Sequence, residues 1–158
     1  YPTLFPYTTL FRSTNTPMLK FKIVTPEKSI YENEVFQVSI PTAEGEITIL
    51  PNHIPLVSVL RAGELRLKDK DGEYSMAVSG GFLEVKAFNE VVVLADHAER
   101  VVEIDMQKAE EARQRAEEQM KNLKNAQDVD YAKLQAIIDR ELNKLKIAKK
   151  YRDLPISK

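Results

Sequence analysis

The spacing of apolar residues changes once along this chain, and that change limits the fold more than any other feature. From Leu19 to about Val102 the period is two. Leu19, Phe21 and Ile23 alternate with Lys20 and Lys22, Phe36, Val38 and Ile40 with Gln37 and Ser39, and Tyr74, Met76 and Val78 with Ser75 and Ala77. Such alternation turns one face of a strand to a core and the other to water. Turn signals interrupt the runs at Pro26, Pro41, Pro51-Asn52, Ala62-Gly63, Asp71-Gly72, Gly80-Gly81 and Asn89-Glu90. Asp71-Gly72, set between Leu65/Leu67 and Tyr74/Met76, predicts a hairpin whose glycine takes positive φ cheaply. The run Val91-Val92-Val93-Leu94-Ala95 lacks alternation and predicts a strand covered on both faces. Together the signals predict a sandwich or flattened barrel of about ten strands.

After Ile104 the period becomes helical. Met106, Ala109, Ala112, Ala116, Met120 and Leu123 stand three or four apart, and Asp105 is placed to cap a helix over about 105–124. The polar stretch Asn125-Ala126-Gln127-Asp128 suits a turn, and Asp128 or Asp130 can cap a second helix with the stripe Tyr131, Leu134, Ile138, Leu142 and Leu145. The fold class is therefore α+β: a mainly β part over 18–102, then an antiparallel two-helix hairpin over 103–158. The first stripe is rich in alanine, so it buries little apolar area, and a pair of short helices needs outside support. Two outcomes fit: an arm that docks on the β part or peels away from it, and a hairpin packed in one place.

A chain of 158 residues is long enough for one ordinary domain, or for one compact domain with an appendage, but not for two large ones. Its net charge is −1, which provides no overall attraction to nucleic acid or to an anionic membrane. The balance is uneven: residues 18–102 carry 9 bases and 13 acids, residues 103–158 carry 13 bases and 11 acids. With no cysteine there is no disulfide, thiolate nucleophile or cysteine-ligated zinc. The apolar runs fall far short of the roughly 20 residues of a spanning helix, so membrane work would need another subunit. In residues 1–17, Tyr1-Pro-Thr-Leu-Phe and Tyr7-Thr-Thr-Leu-Phe nearly repeat, and neither period continues into them. They read as a non-native or disordered extension, with Met18 as the native start.

Catalytic patterns are missing: no phosphate-binding glycine loop, no Gly-x-Ser-x-Gly elbow, no His-Glu-x-x-His helix. His53, in Pro51-Asn-His-Ile-Pro55, and His97, in Ala95-Asp-His-Ala98, lack carboxylates at ligand spacing and read as packing or backbone contacts rather than as metal or acid–base groups. Glu44-Gly45-Glu46 reads as a charged hairpin tip, since nothing supplies an apolar pocket to raise one of the carboxyls. Between Arg140 and Arg152 six bases, Arg140, Lys144, Lys146, Lys149, Lys150 and Arg152, face one acid, Glu141. Such a run is a solvated face or a docking strip for an acidic partner. With Tyr151 its only aromatic residue, it suits nucleic acid poorly.

Several strings carry a resemblance: Glu44-Gly-Glu-Ile-Thr-Ile-Leu-Pro-Asn-His-Ile-Pro-Leu-Val57, Leu60-Arg-Ala-Gly63, Ser79-Gly-Gly-Phe-Leu-Glu-Val85 and Val93-Leu-Ala-Asp96, followed by a helical hairpin. In this order the chain resembles the epsilon subunits of bacterial F-type ATP synthases, from about Met18 to near residue 150. The resemblance implies a non-catalytic subunit of the central stalk, without metal or cofactor. Its sandwich would lie against the gamma subunit and the c-subunit ring, with Glu44, Glu46 and His53 on the ring. The helical arm would fold on the sandwich or extend toward the alpha and beta catalytic subunits and obstruct hydrolysis. Arg140, Lys144, Lys146, Lys149 and Lys150 would then dock on an acidic part of beta. The subunit would sit peripherally on the cytoplasmic face of the bacterial plasma membrane, held there by the complex. Some family members bind ATP as a regulatory ligand through a pattern of aliphatic, Asp, two free positions, Arg, Ala. Val129-Asp130-Tyr-Ala-Lys133-Leu134 matches it in part, with Lys for Arg and Leu for Ala, and Arg140 stands further along the helix.

Two other classes fit the bare residues. One is a free-standing ligand-binding sandwich that dimerises through its helices; the other is an enzyme using Glu44 and Glu46. The first needs a concave pocket with converging polar groups, and the second a reason for one carboxyl to stay protonated.

Overall fold

The computed structural model describes residues 17–123 and 129–152, with Val129 described by its backbone alone. The readings made of residues 1–16, of the turn at 125–128 with Asp128 as a cap, and of the stretch after Arg152 lie outside the described residues. The N-terminal part holds eight strands: β1 (Leu19–Val24), β2 (Ser29–Val35), β3 (Gln37–Thr42), β4 (Gly45–Ile49), β5 (Leu56–Val59), β6 (Gly63–Lys68), β7 (Glu73–Val85) and β8 (Glu90–Arg100). They form one sheet in the order β2-β1-β8-β7-β6-β3-β4, with β5 paired to β7. All pairings are antiparallel except that of β1 with β8.

The strand count is eight where about ten were expected, and Gly80-Gly81 accounts for one strand of the difference. The glycine pair predicts a turn, but β7 runs 13 residues straight through it. Both have positive φ, 64° and 111°, and a Cβ on Gly81 would meet the backbone carbonyl of Leu94 on the neighbouring strand. Glycine here bends a strand instead of ending it. Across the bend the inward face changes parity, from Met76 and Val78 to Leu83 and Val85 on β7, and from Ala95 to Ala98 on β8. The long β7–β8 ladder thereby passes from one layer of the sandwich to the other. Between the layers lie Leu19, Phe21, Ile23, Val38, Ile40, Ile49, Leu65, Leu83 and Val93, each almost wholly buried.

The expected hairpin at Asp71-Gly72 is present. Asp69 Oδ1 accepts from the N–H groups of Asp71 and Gly72, at 2.7 and 3.1 Å, and Tyr31 donates to Asp69 Oδ2 at 2.8 Å. The run Val91–Ala95, by contrast, is not covered on both faces. Val91, Val93 and Ala95 are buried, but Leu94 is 55% exposed, because among the described residues no second layer lies over that side of the sheet.

A single 3-10 turn, Val101–Glu103, leads into α1 (Met106–Lys121) and α2 (Val129–Arg152). Asp105 caps α1 as expected, its carboxylate accepting from Gln107 and Lys108 N–H at 3.1 and 3.2 Å. Only Ala109 and Ala116 of the alanine-rich stripe are fully buried. On α2 the expected stripe holds at Ile138 and Leu145, which are buried, but not at Leu142, which is 46% exposed; Ile147 and Ala148 are buried as well. The helix has two covered faces. One packs on α1, and the other, through Arg140, Asn143, Lys144 and Tyr151, meets the sheet.

Candidate regulatory latch and partner surface

The contacts between α2 and the sheet are polar along most of their length. Near the middle of the helix, Arg140 Nη1 lies 2.7 Å from His97 Nε2, and Arg140 Nε donates to the buried carboxylate of Glu141 at 2.8 Å. One turn on, the Asn143 amide donates to the backbone carbonyls of Gly63 and Val78, at 3.2 and 3.1 Å. Lys144 pairs with Glu99 at 2.8 Å. In the last turn Lys150 pairs with Glu64 at 2.7 Å, while the Tyr151 hydroxyl touches the same carboxylate and the hydroxyl of Ser75.

These contacts set the local electrostatics. Burial pushes the Glu64 carboxyl up, but hydrogen bonds from Lys150, Tyr151 and Ser75 outweigh it and hold the group below its ordinary value. Burial and the same carboxylate push the Tyr151 hydroxyl up. His97 is held below its ordinary 6.5, first by burial and then by the charges of Arg140 and Lys144, against Asp96 and Glu27.

The basic strip is thus divided. Arg140, Lys144 and Lys150 are engaged on the sheet, whereas Lys146 and Lys149 point to solvent. His97, read from sequence as a packing residue, is one anchor of the strip. Glu64 and Glu99, the other anchors, carried no sequence signal, because an acid on an outward strand position looks like ordinary solvent-facing surface.

Asp130 and Lys133 are not gathered with Arg140. They are exposed at the start of α2, 3.5 Å from each other, and Arg140 lies about 15 Å beyond Asp130 and about 10 Å beyond Lys133 along the helix axis. The same spacing of aliphatic, Asp, two positions, base and Ala also occurs at Ile104-Asp105-Met106-Gln107-Lys108-Ala109. There Asp105 is the cap of α1, and Lys108 Nζ lies 3.5 Å from it.

Glu44, Glu46 and His53 stand at the two ends of β4. Glu44 and Glu46 are exposed at the β3–β4 hairpin, where Thr42 Oγ1 donates to Gly45 O at 2.7 Å and Arg66 pairs with Glu46 at 2.5 Å. His53 follows the other end, about 13 Å away along the strand, in a turn closed by its own N–H to Leu50 O at 3.1 Å. Its Nδ1 lies 2.7 Å from Ile54 O. No group of three or more metal-binding side chains occurs among the described residues.

A second surface, unseen from sequence, lies on the bare side of β5, β7 and β8. Val59 faces Phe82, and Phe82 faces Leu94, in one row across the three strands. All three are at least half exposed, as is Val57 beside them. An uncovered apolar row on a sheet marks a binding surface more often than chance exposure.

Two family models match the chain: the ATP synthase Delta/Epsilon chain beta-sandwich domain over residues 18–101, and the long alpha-helix domain of the same chain over residues 103–149. The sequence is 48% identical over 137 residues to an ATP synthase epsilon chain of Dehalococcoides mccartyi, covering 87% of this chain and 96% of that one. It is 40% identical over 129 residues to an ATP synthase epsilon chain of Desulforamulus reducens, covering 82% and 96%. Its fold is similar to that of a chain in the Euglena gracilis mitochondrial ATP synthase, with a TM-score of 0.66, 22% identity, and coverage of 80% and 79%. A bent β body followed by two helices packed on its surface accords with these matches, and the chain belongs to the ATP synthase delta/epsilon chain family.

Proposed function

We propose that this chain is a non-catalytic rotor subunit of a bacterial F-type ATP synthase, whose β body grips the central stalk and whose helical arm restrains ATP hydrolysis. One contrast carries the proposal: the β body closes around a continuous apolar core, while the arm is held to it mainly by ion pairs and hydrogen bonds. Exposed or partly exposed ion pairs contribute about 0–1 kcal/mol each, so the arm can leave without unfolding the body.

On the body, the Val59–Phe82–Leu94 row is the surface offered to the gamma subunit, and Glu44, Glu46 and His53 are the groups offered to the c-subunit ring. When the arm leaves, Arg140, Lys144 and Lys150 join Lys146 and Lys149 as one basic strip for the catalytic beta subunit. In the docked state Glu99 and Glu64 hold Lys144 and Lys150 and stand in for that acidic partner, while Arg140 rests on His97. Attachment to the cytoplasmic face of the plasma membrane comes through the complex; no helix among the described residues is long and apolar enough to cross a membrane, which supports this reading. ATP enters only as a regulatory ligand of the arm, through Asp130 and Lys133; calorimetric titration with ATP against Asp130→Ala is its check.

The test of the whole is reconstitution with and without residues 103–158. Truncated protein should still bind gamma and should release hydrolysis from restraint. Hydrolysis equal to that with the full chain removes the regulatory role.

A further inference from the structure

We infer that the contact between His97 and Arg140 is a proton-sensitive latch: it holds α2 on the sheet while the imidazole is neutral and weakens when His97 takes up a proton. A guanidinium has only donors. At 2.7 Å from Arg140 Nη1, His97 Nε2 must therefore present its lone pair, and the ring proton must sit on Nδ1. Protonation replaces that lone pair with an N–H and sets two cations against each other.

The surroundings do not cancel this repulsion. The cleft beside the ring is lined from α2 by Arg140 and Lys144, both also paired with the buried Glu141, from β8 by Asp96 and Glu99, from the β1–β2 turn by Glu27 and Lys28, and from the 3-10 turn by Glu103. Glu99 is taken up by Lys144 at 2.8 Å. Burial and the two α2 cations outweigh Asp96 and Glu27, so docking favours the neutral ring.

The sign follows from linkage. Once the arm leaves, His97 returns toward its ordinary 6.5, so the detached state binds the proton more readily. The contribution of His97 to docking is fully present above that value and is lost as pH falls below it. At pH 5.5 the detached fraction grows by up to about tenfold, an upper bound for a group at the rim of the cleft. Glu64 titrates below its ordinary 4.5 and contributes nothing in this window.

The inference rests on the proposal that the hairpin is a detachable arm, and it is tested by docking alone, so its failure is distinguishable from a failure to control hydrolysis. Amide hydrogen exchange of the full chain, corrected for intrinsic rates, is followed at pH 7.5, 6.5 and 5.5. Opening of α2 should rise several-fold toward pH 5.5 while β-body protection stays constant. His97→Gln, which keeps an acceptor but takes no proton, should abolish the rise. Equal pH dependence in H97Q, a flat response in the unaltered chain, or an α2 already unprotected at pH 7.5 overturns the latch. On the unaltered chain, nitrogen NMR at pH 7.5 should find the His97 proton on Nδ1; finding it on Nε2 overturns the latch independently of any variant.

Discussion

Lys150, in the last turn of α2, and Glu64, on the outward side of β6, lie 2.7 Å apart and close the far end of the arm onto the sheet. Lys150 is half exposed, so most of the pair's Coulomb energy is screened, but Tyr151 bonds the same carboxylate. Glu64→Gln should therefore weaken docking by about 1 kcal/mol, below the usual value for a charged hydrogen bond because of that exposure. The Glu64 carboxyl is held below its ordinary 4.5, so its contribution is present above that pH and is lost as pH falls through the docked value. Exchange of the last α2 turn between pH 5.5 and 3.5 reads this, and an unchanged profile in E64Q argues that the pair contributes nothing.

The two-faced packing of α2 separates two leucine-type positions that one stripe had joined. Ile138 is 7% exposed, and Ile138→Asp should cost the hairpin about 2–4 kcal/mol by burying a charge. Leu142 is 46% exposed, and Leu142→Asp should stay within about 0.5 kcal/mol. Thermal loss of helical circular dichroism distinguishes them; equal effects would return the stripe to its sequence-based position.

The bend in β7 depends on a residue without a side chain. Gly81 has φ 111°, and a Cβ there would strike the Leu94 carbonyl. Gly81→Ala should destabilise the β body by about 3 kcal/mol or more, from backbone strain and a forced shift of β8. Urea unfolding of the chain measures it, and a loss under about 1 kcal/mol would mean that the ladder absorbs the bend elsewhere.

Phe82, at the centre of the bare row, is 57% exposed and supports nothing beneath it. Phe82→Glu should leave the unfolding midpoint nearly unchanged yet weaken binding to the gamma subunit at least tenfold, about 1.4 kcal/mol or more. Unaltered affinity in a direct binding assay assigns the stalk contact to another face.

Much of this architecture was determined by local pattern. Period two over Leu19–Val102 and the change after Ile104 specify strands followed by helices, and Asp105 and Asp71-Gly72 act within a few residues of themselves, so cap and hairpin were legible from sequence alone. What the local pattern did not determine depends on distant partners. Gly80-Gly81 bends or breaks a strand according to whether β8 runs beside it. Leu94 is inside or outside according to whether a second layer covers it. His97, Glu64 and Glu99 look like surface until α2 lies across them, because an ion pair between segments tens of residues apart leaves no periodicity in either. The elements were written in the order of residues; the latch and the bare apolar row arose only when the sheet folded and the helices came to rest on one half of it.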